Sequence, residues 1–322
     1  MQPHQINPLI EPQFDAVTDY ILNHLGSNVP LVENIGHYIV ESGGKRLRPL
    51  LVLLAANACG YEGKQHIPLA AVIEFIHTAT LLHDDVVDNS ELRRGNATAN
   101  AKWGNAPSVL VGDFLYSRSF QIMVEIGSMP IMEVISNATT VIAEGEVLQL
   151  LNQRNPDTTE ESYMNVILGK TAMLFEAATE CGAILAGSDA QAREALRLYG
   201  RHLGIAFQLV DDVMDYLSSS EEMGKNVGDD LAEGKATLPL IYAMREGNDE
   251  ERALVREAIR KGGLDDLAPV MDVVRRTGAI DYTKAQAQAQ VDKALAELAK
   301  LPGTSFTDTL TKIAEKAVER TR

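Results

Sequence analysis

The chain has few cysteines, few aromatic residues and a deficit of basic residues. It contains 2 cysteines, 1 tryptophan and 5% aromatic residues among 322 positions. Because Cys59 and Cys181 each lie in an apolar stretch, we expect free thiols in a reducing cytoplasm and neither a disulfide framework nor a Cys-x-x-Cys metal site. The 29 Lys and Arg stand against 45 Asp and Glu, a net charge of −16. This acidic balance argues against binding of nucleic acid or of anionic membrane surfaces.

Long apolar runs are also missing. The longest, residues 49–59, is well below the ~18 residues that span a bilayer. The N-terminal MQPHQINPLI has no basic start followed by an apolar run, so no signal peptide is predicted. We therefore expect a cytoplasmic chain without stable membrane insertion. With 45% hydrophobic residues it can bury a sizeable core.

Helical patterns dominate what remains. Alternating strand patterns joined by Asn-Gly or Asp-Gly turns are absent, and residues 157–238 contain no proline but many good helix formers. Capping boxes predict helix starts at Thr158 and Ser188, the second helix running to about Leu217. Residues 69–89 are apolar on nearly every side, which is typical of a central helix. Loops are predicted around Ser42–Gly44, Asn89–Gly95, Asn152–Asp157 and Ser218–Gly234. No linker interrupts the pattern, so we predict one all-α domain over 1–322.

Two acidic motifs of the type Asp-Asp-x-x-Asp end long apolar helices. They are LLHDDVVDNSELRRG (81–95) and FQLVDDVMDYLSSSEEMGKNVGDD (207–230). Asp84 and Asp88 are four residues apart and share a helix face, and Asp211 and Asp215 repeat the spacing. Carboxylates on an apolar helix, near its C-terminus, are costly unless a cation compensates them. An all-oxygen ligand set favours Mg²⁺ or Mn²⁺. A solvated acidic helix end is the alternative, which the repetition of the motif disfavours.

Basic side chains occur in short turns close to these motifs. They are Lys45, Arg48, Arg93, Arg94, Lys170, Lys225 and Lys235. Arg binds phosphate through two parallel hydrogen bonds and Lys through a point charge, so the pattern favours a phosphate-bearing substrate. The sequence Gly169-Lys170-Thr171 is not the end of a P-loop, because the required earlier glycine would be at position 164, which is Met164.

Taken together, GGKRLRP (43–49), LLHDDVVD, RRG, GKTAMLF (169–175), FQLVDDVMD and GKNVGDDLAEGKATLPL (224–240) resemble the trans-isoprenyl diphosphate synthases, and most closely the bacterial octaprenyl and nonaprenyl (solanesyl) type. The resemblance covers nearly the whole chain. It implies an all-helical isoprenoid synthase fold around a deep central cavity, with both aspartate motifs at its mouth, in a homodimer. It also implies sequential, Mg²⁺-dependent condensation of isopentenyl diphosphate onto an allylic diphosphate, expected to be farnesyl diphosphate, to make a quinone side chain.

The resemblance also implies roles for individual residues. Asp84 and Asp88 would bind two Mg²⁺ ions and Asp211 a third, with Mn²⁺ as a substitute, while Asp85, Asp212 and Asp215 would act through waters or through other side chains. The expected isopentenyl diphosphate site is Lys45, Arg48, His77 and Arg94. The expected allylic diphosphate site is Arg93, Lys170, Thr171, Gln208, Lys225 and Lys235. Residues 218–234 would form a flap over the phosphates. Small residues at Ala79 and Thr80 would let the product grow past them.

Two other functions share parts of this pattern. A class I terpene cyclase has the same fold but usually carries an Asn/Ser/Glu second motif, whereas this chain has Asp211-Asp212-x-x-Asp215. A non-catalytic partner subunit of a prenyltransferase usually lacks one aspartate motif. Both remain alternatives, because a fold alone does not fix a reaction.

Overall fold

The computed structural model describes residues 7–217 and 228–319. Most of the predicted flap over 218–234 falls outside the described residues, and so does Lys225. In the remainder, helices join through short loops, as the absence of strand patterns and the abundance of Ala, Leu, Glu and Met lead us to expect. The prediction of an all-α fold is confirmed.

Along the described residues the elements are α1 (Glu11–Asn23), α2 (Pro30–Glu41), α3 (Leu47–Ala58), α4 (His66–Val87), β1 (Leu92–Arg93), β2 (Asn96–Ala97), α5 (Ala99–Trp103), α6 (Asn105–Ile126), α7 (Met129–Asn152), α8 (Glu160–Ile167), a π-helical turn (Leu168–Ala172), α9 (Met173–Leu185), α10 (Ala190–Leu217), α11 (Asp229–Ala232), α12 (Leu238–Glu246), α13 (Asp249–Lys261), α14 (Leu267–Arg276), α15 (Ala279–Leu298) and α16 (Ser305–Glu319). None of these helices is both long enough and apolar enough to cross a membrane.

The chain forms two compact units, each assembled from separate stretches of sequence. The first unit comprises Met1–Asn137, Leu174–Leu198 and Glu297–Lys312. The second comprises Ala138–Met173, Tyr199–Ala296 and Ile313–Arg322. The single domain over 1–322 stays a prediction. Each acidic motif belongs to a different unit, so each is described with its own surroundings.

Helix α4 is the core helix of the first unit. It contacts α1, α3, α5 and α6, and its apolar side chains, such as Phe75 and Ile76, are fully buried. Each such side chain contributes about 1.5–3 kcal/mol through burial. A helix that is apolar on all sides packs on all sides, so the predicted central helix is confirmed, with the bounds His66–Val87.

Three local predictions differ from the structure by small amounts. The N-cap of α8 is Thr159, whose side chain accepts from Ser162 N, one residue after the predicted Thr158. At the start of α10 the carboxylate of Asp189, one residue after the predicted Ser188, accepts from Ala192 N at 2.8 Å. Inside the predicted loop over 89–95 a two-residue antiparallel hairpin forms, with Arg94 and Gly95 both at positive φ (53° and 78°). Such a turn matches the twist of a hairpin and needs left-handed residues at both positions.

Candidate active site

The first acidic motif occupies the last turn of α4. Asp84 and Asp88 are half-buried, and the backbone N–H of Asp88 donates to the Asp84 carbonyl at 2.8 Å, which keeps both side chains on one face. Neither carboxylate benefits from the helix dipole, which favours cations at this end. The positive charge that stabilises these two carboxylates must therefore come from outside the helix.

Asp85 lies on the buried side of the motif and holds Arg93. Its side chain is fully buried and accepts from Arg93 Nε at 3.0 Å and from Arg93 Nη2 at 2.6 Å. Burial by itself would lower the pKa of Arg93, but the hydrogen bonds and charge of Asp85, with the charges of Asp84 and Asp88, raise it above its ordinary value. The guanidinium is thus fixed in its charged form beside the first motif.

Arg94 follows in the hairpin turn and faces the loop between α2 and α3. A Cβ added to Gly44 would lie 2.5 Å from Arg94 Nη1, and Gly44 itself has a φ of 142°. Only glycine fits this position, because a side chain would both strain the backbone and displace the guanidinium. Among the described residues no hydrogen bond is made by the Arg94 side chain. The two adjacent arginines therefore have different surroundings.

Arg48 and His77 meet beside an aromatic ring in the same unit. Arg48 Nη1 lies 3.2 Å from His77 Nε2, and its guanidinium carbon lies 4.5 Å from the centre of the Phe175 ring. Burial, with the charges of Arg48, Arg94 and Arg93, lowers the pKa of His77 well below its ordinary value. A neutral His77 can accept the hydrogen bond that Arg48 donates. Burial also lowers the pKa of Arg48 to about 10, and the charge of Arg94 acts in the same direction.

The second unit builds its site around the π-helical turn. This turn carries Lys170, whose Nζ lies 3.0 Å from Glu146 Oε2, and Thr171, whose hydroxyl donates to Gln208 Oε1 at 2.8 Å. A Cβ on Gly145 of α7 would lie 2.9 Å from the Lys170 backbone nitrogen, so the two backbones approach as closely as glycine allows. Single π turns inside α-helices are frequent at functional sites, where they redirect side chains.

Asp212 of the second motif sits at the centre of a hydrogen-bond chain. Gln208 Nε2 donates to Asp212 Oδ1 at 2.8 Å, and the hydroxyl of Tyr163 donates to the other oxygen through a short hydrogen bond. Burial and the charge of Asp230 raise the pKa of Asp212 to about 8, although both hydrogen bonds oppose the shift. Asp211, by contrast, is only half-buried. Asp212 therefore acts on other protein side chains rather than on solvent.

Asp215 secures the backbone that follows the second motif. It is fully buried, its carbonyl accepts from Gly228 N at 3.1 Å and its Oδ2 accepts from Asp230 N at 3.3 Å. Lys235 lies a few residues on, its backbone N–H donating to the Asp230 carbonyl at 2.8 Å and its amine pairing with Glu233. The site residues of the second unit are thus linked through Asp215 and Asp230.

The carboxylates of the acidic motifs suit a metal ion whose coordination shell is completed by the substrate. Within 7–217 and 228–319, no three His, Cys, Asp or Glu side chains gather closely enough to hold an ion alone. Mg²⁺ commonly takes only one or two carboxylates and fills its shell with water and phosphate oxygens. A pair of carboxylates four residues apart, as at Asp84 and Asp88, fits that requirement and would not fit a structural zinc site.

Sequence reasoning missed the side chains that hold the site residues in place. Glu146 and Tyr163 lie in no motif and Phe175 only ends GKTAMLF, yet each makes a contact with a distant segment. Glu74 gave a chemical signal, since it is a charged residue in the largely apolar first part of α4. Ala79 is 2% exposed and the Thr80 hydroxyl donates to the His77 carbonyl at 2.7 Å, so their role in product length stays a prediction.

The chain is similar to known proteins over most of its length. Residues 29–274 match the polyprenyl synthetase family model. The chain is 53% identical to octaprenyl diphosphate synthase of Escherichia coli (strain K12), covering 100% of both chains. It is 47% identical to an all-trans-nonaprenyl-diphosphate synthase (geranyl-diphosphate specific) of Rhodobacter capsulatus, covering 97% of this chain and 96% of the relative.

A solved structure is similar over the same length. It is a polyprenyl synthase from Caulobacter crescentus CB15, complexed with calcium and isoprenyl diphosphate, with a TM-score of 0.95 and 43% identity over 100% of this chain and 98% of that one. A family model over most of the chain, with relatives about half identical along its entire length, leaves one assignment: the chain belongs to the polyprenyl synthetase family and is a prenyltransferase of the long-chain polyprenyl diphosphate synthase type, with the all-α isoprenoid synthase fold.

Proposed function

We propose that this enzyme extends an allylic diphosphate, with farnesyl diphosphate as the primer, by repeated addition of isopentenyl diphosphate to an octaprenyl or nonaprenyl diphosphate for a quinone side chain. One observation carries the proposal. In the first unit, Arg93 is hydrogen-bonded to Asp85, between Asp84 and Asp88 at the end of α4, and Arg48 contacts His77 of the same helix. Carboxylates beside several arginines fit a substrate whose diphosphate is bound partly by metal and partly by guanidinium groups.

Two sets of residues would bind the two diphosphates. Lys45, Arg48, His77 and Arg94 would hold isopentenyl diphosphate. Arg93, Lys170, Thr171, Gln208, Lys225 and Lys235 would hold the allylic diphosphate. Arg93 is suited to a fixed role because Asp85 keeps it charged and oriented, and preorganised charge is the main source of stabilisation when a diphosphate leaves.

The reaction breaks the C–O bond of the allylic diphosphate and forms a C–C bond from the isopentenyl double bond. The isopentenyl portion then loses a proton, which the released pyrophosphate can accept. Gln208 and Thr171 present polar groups that can face the positive charge on the allylic carbon, while apolar surroundings exclude water from it. Asp84, Asp88 and Asp211 would hold three Mg²⁺ ions, for which Mn²⁺ can substitute. These ions would supply positive charge opposite the leaving diphosphate.

The chain is further proposed to act as a cytoplasmic homodimer with one catalytic domain over 1–322. The homodimer is what the resemblance to the family implies. The two free cysteines, Cys59 and the buried Cys181, agree with a reducing compartment. We propose no nucleic-acid partner, given the net charge of −16.

The test is an assay of the purified chain with isopentenyl diphosphate, an allylic diphosphate and Mg²⁺, followed by chromatography of the dephosphorylated products. We expect a linear eight- or nine-unit product. Asp84→Asn and Asp211→Asn should each fold normally and lose at least about a hundredfold in kcat, because charge at the departing diphosphate is the largest contribution to catalysis. Cyclic products, or turnover only after adding a second protein, would contradict the proposal. Near-normal turnover in either variant would remove the metal assignment.

A further inference from the structure

Tyr163 is a buried side chain of the second unit that carries no motif and is not among the residues proposed to bind substrate. It lies on α8, and its hydroxyl donates to Oδ2 of Asp212, a buried side chain of α10. Within 7–217 and 228–319, no other group donates to that oxygen. The Tyr163 hydroxyl therefore decides whether a buried carboxylate oxygen is paired, and an unpaired one is costly.

The other oxygen of the same carboxylate fixes the amide of Gln208. Gln208 Nε2 donates to Asp212 Oδ1 at 2.8 Å, and a carboxylate oxygen can only accept. The amide nitrogen therefore faces Asp212, and the amide oxygen faces away from it, where it accepts from the Thr171 hydroxyl at 2.8 Å. Along this hydrogen-bond chain, the direction of each bond follows from the bond before it.

The last bond of the chain decides what Thr171 can present to a substrate. Its single hydroxyl hydrogen is donated to Gln208, so the Thr171 oxygen has only lone pairs left to offer. Lone pairs attract positive charge and repel the oxygens of a diphosphate. A reversed Gln208 amide would place Nε2 against Thr171 and release the hydroxyl hydrogen. The orientation of the amide therefore determines whether Thr171 is suited to face a positive carbon.

The π-helical turn places Tyr163 and Thr171 where one helix can meet both. The two residues are eight positions apart, and eight residues of a regular α-helix turn by ~800°, which is about 80° beyond two full turns. The π turn over Leu168–Ala172 holds one residue more than an α-helical turn, so side chains on either side of it return to the same face. That face meets α10 at Asp212 and, one turn earlier, at Gln208.

We infer that Tyr163 is a positioning residue whose hydroxyl fixes, through Asp212, the orientation of the Gln208 amide. The amide in turn fixes the direction in which Thr171 donates. The inference rests on the proposed function, in which Gln208 and Thr171 face the positive charge on the allylic carbon. Tyr163 itself does not touch the reacting atoms. Because that charge develops only as the C–O bond breaks, loss of the Tyr163 hydroxyl lowers kcat and leaves the binding of both diphosphates nearly unchanged.

The experiment compares Tyr163→Phe with wild type by steady-state kinetics and by thermal unfolding. We expect kcat to fall about tenfold, while KM for both diphosphates changes less than about threefold. Tyr282→Phe is the matched control, because the Tyr282 hydroxyl also donates to a carboxylate, that of Glu160 on α8, at 2.9 Å. Its kcat should stay within about twofold of wild type. A purely structural role of Tyr163 would lower the melting temperature and leave kcat unchanged.

A second background tests whether Tyr163 acts through Gln208. Gln208→Ala removes the amide, so adding Tyr163→Phe to it should change kcat by less than about twofold, whereas independent residues would multiply their effects. The Mg²⁺ concentration that gives half-maximal rate should be the same in Tyr163→Phe and wild type. A loss of kcat that persists in the Gln208→Ala background, or a shifted Mg²⁺ requirement, would mean that Tyr163 acts through the acidic motif and would overturn the inference.

Wild-type kcat in Tyr163→Phe, or an equal loss of kcat in Tyr282→Phe, would also overturn the inference. If Tyr163→Phe does not fold, the double variant Tyr163→Phe/Asp212→Leu decides, because it removes both partners and leaves no unpaired buried carboxylate. A lower kcat at an unchanged Mg²⁺ requirement then supports the inference, and wild-type kcat or a shifted Mg²⁺ requirement refutes it.

The proposed function fails separately, if the wild-type chain makes no prenyl diphosphate. A crystal structure of Tyr163→Phe then decides the role of Tyr163. Loss of the 2.8 Å contact between Thr171 Oγ1 and Gln208 Oε1 would support the inference, and an unchanged contact would refute it.

Discussion

Arg93 and Arg94 are adjacent in sequence but are held by different means. Arg93 is fixed by paired hydrogen bonds to the buried Asp85, a geometry in which most of its side-chain freedom is already lost before substrate binds. Arg94 is placed by its backbone, at a φ of 53°, and by the close approach of Gly44. One guanidinium is therefore locked and the other is only confined, which suits two different phosphates.

His77 is expected to make the folded chain sensitive to acid. Its pKa is lowered by burial and by Arg48, Arg94 and Arg93, so the unfolded chain binds a proton more readily than the folded one. Stability should then be lost as pH falls through the ordinary histidine pKa of ~6.5. Unfolding in urea between about pH 7.5 and 5.5 should show wild type losing up to ~1.4 kcal/mol per pH unit more than His77→Gln.

The matched control for this comparison is His37→Gln, at a histidine whose side chain is 43% exposed. Its pH profile should run parallel to that of wild type. A His77→Gln profile parallel to wild type would mean that burial and the three arginines do not hold His77 neutral.

At the scale of elements, the helices could be predicted from sequence and their detailed ends could not. The existence and approximate length of α4 and α10 follow from long apolar patterns, which a local misreading of one or two residues does not change. The caps fell one residue away because Thr158 and Thr159, or Ser188 and Asp189, are equally good capping residues. Likewise Asp84 and Asp88 stand out on an apolar helix, whereas Tyr163 gains its role only by folding against Asp212.

The π-helical turn was beyond sequence reasoning for the same reason. It depends on two glycines, Gly145 and Gly169, that meet from separate helices, with Gly169 Cα only 3.2 Å from the position of a Cβ at Gly145. No local pattern records such an approach.

Gly145→Ala should therefore destabilise the chain. A Cβ there would lie 2.9 Å from Lys170 N, and overpacking of this kind costs about 1–3 kcal/mol, against a gain of about 1 kcal/mol in helix propensity. We expect a lower urea midpoint and a raised KM for the allylic substrate, because Lys170 and Thr171 must move. Gly303→Ala, where nothing lies within 4 Å, is the control and should be near neutral. Equal stability of the two variants would show that α7 can shift at this point to make room for the added methyl group.

At the scale of the whole molecule, both units are built from distant parts of the chain. Helix α10 contributes its start to the first unit and its end, with Asp211, to the second. The acidic chain, at −16, has the arginines that are proposed to bind diphosphate in a few turns, so attraction of diphosphates would be local rather than general. The composition alone does not show that basic residues gather in a few turns of an acidic chain. This arrangement appears only in the folded structure.

The length of the product is a property of the whole molecule rather than of one residue or one helix. Ala79 is buried on α4, five residues before Asp84, which is about 7 Å along the helix axis. If the growing chain passes this point, Ala79→Tyr should stay active but give a shorter product, of about three or four isoprene units, because a ring placed only about 7 Å from Asp84 along the axis would block the growing tail. Chromatography of dephosphorylated products, at matched substrate ratios, measures this, with Ala79→Ser expected to give the wild-type length. An active Ala79→Tyr variant that makes the full-length product would exclude position 79 from the tunnel.

The π-helical turn over Leu168–Ala172 has a consequence for how this site could be lost or gained. Such a turn holds one residue more than an α-helical turn, so it is equivalent to a one-codon insertion in a regular helix. Deleting a single codon there would restore continuous α-helical hydrogen bonding, and would leave a chain that folds. It would also rotate side chains near the deletion by about 100°, and Thr171 would no longer reach Gln208. At this point in the gene, a deletion of one codon is therefore expected to change the site while it keeps the helix.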